Sequence, residues 1–77
     1  MARFTVFIEN FRNGYKTATY HLDSFVMVYH LVREIVFKDG TGHKKPPSWQ
    51  DLVDWSHDCP FTAYSDFDVR IQVERAA

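Results

Sequence analysis

The chain lacks most of the features that would identify an activity outright. It has one cysteine, Cys59, so no internal disulfide can form, and no Cys-x-x-Cys pair is present to hold a structural zinc. The longest apolar run, residues 25–31, is broken by His30 and soon meets Arg33 and Glu34, far short of the roughly 20 residues that cross a bilayer. The opening Met-Ala-Arg-Phe-Thr has no apolar stretch of the secretory type, which makes a reducing cytoplasm the expected compartment. Between Lys45 and Arg70 there is no basic residue, while five aspartates fall in that interval.

What is present describes a small, soluble globular unit. Seventy-seven residues are too few for two hydrophobic cores, so residues 1–77 are expected to form a single domain. Apolar residues make up 45% and charged residues 25%, a mixture that argues against disorder. Seven Phe, four Tyr and two Trp supply large rings that let a small core hold together without staples. The net charge of −1 hides an uneven distribution, with residues 1–45 carrying +3 and residues 46–77 carrying −4.

Hydrophobic periodicity predicts the order ββααβ. Residues 3–11 alternate, with Phe4, Val6 and Ile8 on one face and Arg3, Thr5, Phe7 and Glu9 on the other. Residues 15–22 form a second strand, with Ala18, Tyr20 and Leu22 opposite Thr17, Thr19 and His21. The turn between them is decided by register, because a one-residue slip moves every side chain to the other face. A two-residue Asn13-Gly14 turn sets apolar against polar faces. A three-residue loop, Arg12-Asn13-Gly14, pairs Phe4 with Leu22, Val6 with Tyr20 and Ile8 with Ala18. That loop calls for Gly14 in the left-handed region as a G1 bulge.

Asp23 and Ser24 offer capping oxygens before a helix running to Lys38, with Phe25, Val28, Leu31, Val32 and Ile35 at helical spacing. Gly40 suits its C-terminal cap, and Glu34 and Lys38 make a favourable i,i+4 pair. Residues 39–47 read as a mobile loop. Ser48-Trp49-Gln50-Asp51 resembles a capping box that starts a short second helix ending near His57, before Cys59-Pro60. Phe67, Val69, Ile71 and Val73 alternate with Asp66, Asp68, Arg70, Gln72 and Glu74 as a half-buried last strand. The expected fold is α+β: a three-stranded, mostly antiparallel sheet of order 2-1-3, with one main helix packed on one face and a short second helix. The direction of the last strand is left open by the pattern.

No catalytic set emerges. His57 and Cys59 have no third group to orient them, and His21, His30 and His43 are scattered, so neither a metal nor any cofactor is expected. Gly40-Thr41-Gly42-His43-Lys44-Lys45 has the wrong spacing and context for a phosphate-binding loop. Two surfaces remain. Asp51, Asp54 and Asp58 share a face of the second helix, and Asp66 and Asp68 extend the stripe if the strand's wet face lies nearby; such a surface suits a basic partner. On the hairpin, Phe7, Phe11 and Tyr15 point away from the helix or sit at the turn, beside Arg3, Arg12 and Lys16. Those rings suit a protein-binding or self-association patch, or a stacking platform for single-stranded nucleic acid, although no RNP-type motif is present.

The whole-chain plan resembles that of small phage-encoded inhibitors of the anti-CRISPR kind. The likeness is carried by the hairpin over residues 4–22, the helix from Ser24 and the acidic group Asp51, Asp54, Asp58, Asp66 and Asp68. It implies a non-catalytic, stoichiometric inhibitor of a nucleic-acid-handling complex such as a CRISPR effector, working in the host-cell cytoplasm. The expected partner is a protein or ribonucleoprotein with a basic surface, with a homodimer as a further expectation, no membrane association, and direct nucleic-acid binding as the alternative reading.

Overall fold

The computed structural model describes residues 3–12, 14–38, 42–58 and 60–75, the Lys38 side chain excepted. Four strands and two helices follow in the order β1 (Phe4–Asn10), β2 (Lys16–Leu22), α1 (Phe25–Arg33), α2 (Trp49–Trp55), β3 (Phe61–Ser65) and β4 (Val69–Arg75). The strands form one antiparallel sheet of order β2-β1-β4-β3. The expectation of three strands in the order 2-1-3 is corrected by β3, a strand between α2 and β4 that side-chain alternation does not reveal. The last strand is antiparallel to β1, and with β3 outside it β4 is central.

The hairpin register is the one that side-chain parity requires: Phe4 pairs with Leu22, Val6 with Tyr20 and Ile8 with Ala18. Gly14 has φ 93°, the left-handed conformation of the bulge, and Asn13 lies outside the described residues. A Cβ at Gly14 would meet nothing within 4 Å, so the cost of a substitution comes from the backbone alone. Gly14→Ala should therefore lower stability by about 1 kcal/mol, the penalty of the left-handed region for an L-residue, with the fold unchanged by circular dichroism. A neutral result would mean that the loop relaxes to another turn.

The Ser24 hydroxyl caps α1 by accepting from the Met27 N–H at 3.4 Å. The helix stops being α-helical at Arg33 and continues as a π-helical turn, Glu34–Lys38, in place of the regular helix expected as far as Lys38. In that wider turn the adjacent residues Ile35 and Val36 are both buried. Gly40 and Cys59, to which helix-ending roles were attached, lie outside the described residues. The capping box at Ser48 is present in full: its hydroxyl accepts from the Asp51 N–H, and the Asp51 carboxylate accepts from the Ser48 N–H. The second helix ends at Trp55 rather than near His57, closed by the Ser56 hydroxyl donating to the Val53 carbonyl at 2.7 Å.

The core lies between one face of the sheet and the helices. Val6, Val28, Val32, Leu52, Val69, Ile71 and Val73 are fully buried there, and Phe4, Ile8, Phe61 and Tyr64 close its margins. Tyr20 shares the inner face but sits on the sheet's edge strand and stays 43% exposed. Phe67, expected inside, is 76% exposed because the last strand begins only at Val69. Residues 66–68 are the turn between β3 and β4, built by the Asp66 carboxylate, which accepts from the N–H groups of Asp68 at 2.7 Å and Val69 at 2.9 Å.

Of the connector expected to be mobile, residues 39–41 lie outside the described residues, and the part from Gly42 onward is tied to that turn. The His43 N–H donates to Asp66 at 2.7 Å, and the Tyr64 hydroxyl both accepts from the Lys44 N–H and donates to Asp66 at 2.6 Å. His43 pairs with Asp68 and stacks on Phe67 with ring centroids 4.3 Å apart. Gly42 allows the close approach: a Cβ there would lie 2.8 Å from Val36 Cγ1 and 2.9 Å from the Tyr64 hydroxyl.

Candidate functional site

Both helices pack on the inner face, which leaves the outer face of the sheet uncovered among the described residues. Register places the outward side chains in rows across it. Thr5 lies between His21 and Glu74, Phe7 between Thr19 and Gln72, and Glu9 between Thr17 and Arg70, while Thr62 continues the middle row. Phe7 is thus the single ring on a central strand of a polar face, and it remains 39% exposed.

The second aromatic group sits at the turn end of the same face. Phe11 and Tyr15 are exposed, with ring centroids 5.6 Å apart in a tilted arrangement. The Tyr15 hydroxyl donates to Glu9 Oε2 at 2.5 Å, and Arg70 donates to Glu9 Oε1 through Nε at 2.8 Å and through a second guanidinium nitrogen. These bonds, first from Tyr15 and then from Arg70, hold the Glu9 carboxyl below its usual range. The central charges of the face are therefore matched with one another, and Tyr15 is fixed beside Phe11. The N–H of Arg12 donates to the Asn10 side chain at 2.9 Å, which shapes the start of the loop.

Lys16 does not join this surface. It pairs with Asn10 and, with the even-numbered residues of β2, faces the inner side, where it lines a groove with Ala18, Tyr20 and Ile35. The stacking platform expected of Phe7, Phe11, Tyr15, Arg12 and Lys16 thus loses one of its two cations.

The five aspartates separate into different roles. Asp51 is turned onto the start of its own helix, Asp54 accepts from Gln50 at 2.9 Å, and Asp58 is exposed beyond the helix end. Asp66 and Asp68 are held in the β3–β4 turn. Partial burial pushes the Asp66 carboxyl up, but hydrogen bonds from Tyr64 and from the His43, Val69 and Asp68 N–H groups outweigh it and hold the carboxyl far below its usual range. A cleft of about 510 Å³ between the 44–48 segment, α2 and β3 is lined by Asp51 together with Arg33, Lys44 and Lys45. The charges that are segregated along the chain are thus interleaved in space.

Sequence reasoning overlooked a ladder that runs from α1 into the π-helical turn. The Arg33 guanidinium lies 5.3 Å from the Tyr29 ring centroid and 5.0 Å from that of Phe37, and Trp49 meets Tyr29 edge-on at 5.5 Å. The i, i+4, i+8 spacing of Tyr29, Arg33 and Phe37 is its signal. Among the described residues no three His, Cys, Asp or Glu side chains gather as metal ligands would, and no helix is long and apolar enough to cross a membrane. Comparison with protein-family models, curated proteins and solved structures finds no match for the chain.

Proposed function

We propose that the protein is a non-catalytic binding module that docks on another protein through the open face of its sheet. The observation that carries this reading is the four-stranded face itself: no described residue covers it, it presents Phe7 centrally and the Phe11–Tyr15 pair at one end, and Glu9 and Arg70 are already matched. Large rings on a rigid strand framework, surrounded by neutral threonines and Gln72, have the make-up of an interface with a few aromatic anchors. A nucleic-acid platform is favoured by unpaired cations along the path of the phosphates, and Lys16 on the inner side and Arg70 paired with Glu9 both count against that reading. Stoichiometric occupation of a nucleic-acid-handling complex, as the likeness to phage inhibitors implies, is the form of activity we assign, with the sheet face taking the place given to the acidic stripe.

The test is quantitative capture of the binding partner from the native cell by wild type and by variants. Phe7→Ala is expected to weaken binding about 30-fold, the loss typical of a central aromatic anchor, while melting stays near that of wild type. Asp54→Lys with Asp58→Lys should change binding less than about threefold, as rim charges do. Full binding by folded Phe7→Ala would sink the sheet-face reading, and loss with the double aspartate variant would restore the acidic one. Titration with single-stranded oligonucleotides at low salt should show no association; a signal there would favour the nucleic-acid alternative.

A further inference from the structure

We infer that β2 is the joint of a symmetric homodimer, in which the β2 edges of two copies pair antiparallel about Thr19 and the two sheets become one of eight strands. This does not depend on what the open face binds.

The two edges of the sheet are built differently. The β3 edge is protected: the strand has five residues, carries a bulge between Thr62 and Tyr64, and has α2 beside it. The β2 edge has no such device. It runs regularly for seven residues, contains no proline or bulge, carries its one lysine, Lys16, at one end, and is exposed or half-buried throughout. A strand of that kind presents unpaired N–H and C=O groups to any strand that can match it.

A second copy matches it. Pairing about Thr19 uses all seven residues and sets Lys16 opposite Leu22, Thr17 opposite His21 and Ala18 opposite Tyr20, each twice by symmetry. Inner faces meet inner faces, as continuity of the core side requires. The small Ala18 lies against the large Tyr20 of the other copy, and a groove of about 280 Å³ lined by Ile8, Ala18, Tyr20 and Ile35 is there to take that ring. Both Tyr20 side chains, 43% exposed in the single chain, are thereby covered. At each end the aliphatic stem of Lys16 lies along Leu22 of the other copy. A two-residue shift toward Tyr20 would instead set the two tyrosines against each other, and a shift the other way would leave the Leu22 end unpaired. The interface is isologous, so it closes at two copies.

Sedimentation of the purified chain should give twice the 9.1 kDa chain mass at concentrations up to about 1 mM, the weak limit of specific association. Thr19→Lys sets two ammonium groups directly across the axis and should return the mass to one chain, with an unchanged circular dichroism spectrum. A Thr19→Cys, Cys59→Ser variant should form an intermolecular disulfide under mild oxidation, because directly opposed residues of antiparallel strands have Cα atoms about 4.5–5.5 Å apart. A single-chain mass throughout that range overturns the inference. So does a dimer that survives Thr19→Lys, or a Thr19→Cys, Cys59→Ser dimer that does not cross-link.

Discussion

Asp66→Ala is expected to lower the free energy of unfolding by about 3 kcal/mol, a large share of the roughly 5–15 kcal/mol that holds a small domain together. The Asp66 carboxylate accepts from four donors: the His43 N–H, the Tyr64 hydroxyl, and the N–H groups of Asp68 and Val69. Alanine deprives these donors of that acceptor and also releases the connector from the β3–β4 turn. Thermal melting reads the effect, with a drop on the order of 15 °C for a domain of this size. Tyr64→Phe, which removes one donor of the same group, should cost about 1 kcal/mol, and the two changes should be less than additive. A drop of only a few degrees for Asp66→Ala would show that water replaces the carboxylate at little cost.

The same carboxylate sets a pH dependence with a definite sign. Its folded-state pKa lies below the ordinary 3.8, so the unfolded chain binds the proton more readily. The stabilisation is complete at neutral pH and is lost as pH falls below about 3.8 toward the lower folded-state value. Wild type should therefore lose stability in acid more steeply than Asp66→Ala, and parallel acid titrations of the two would refute the assignment.

The second large effect is expected at Leu52. With seven residues, α2 is too short to persist by its own hydrogen bonds, and Leu52 is its single fully buried side chain. Leu52→Ala should cost about 3 kcal/mol, the lost transfer energy of the side chain plus the cavity it leaves. Because Trp49 on the same helix meets Phe25 at 5.2 Å and Tyr29 at 5.5 Å, tryptophan fluorescence should shift to longer wavelength along with the fall in stability. Leu52→Met should cost under about 1.5 kcal/mol. Unchanged fluorescence in Leu52→Ala would mean that α2 is held by something other than this side chain.

The parts of the fold legible in the sequence are those in which one local rule governs several residues. Parity alone set the hairpin register, and Ser48 with Asp51 marked the start of α2. β3 was hidden because its bulge makes the consecutive residues Ala63 and Tyr64 both buried, which destroys the alternation by which strands are recognised. The opposite accident drew Phe67 into the last strand: it continues the period of Val69, Ile71 and Val73, yet it belongs to a turn that Asp66 and Asp68 organise. That Asp-Phe-Asp run was the available turn signal. Of the candidate site, Phe7, Phe11 and Tyr15 were legible because side-chain parity follows from register. The acidic surface was not, because sequence shows where charges lie along the chain and not which N–H groups they accept from.

The sheet order has a further consequence for how the molecule comes into being. Among the described strands the two central ones are the first and the last in order, so the innermost pairing joins Asn10 to Val69 and Phe4 to Arg75, across 59 and 71 residues. A hairpin and two short helices made earlier have no second central strand to close upon. Closure of the core therefore rests on long-range pairing, because β4 must lie between β1 and β3 before either has its inner neighbour.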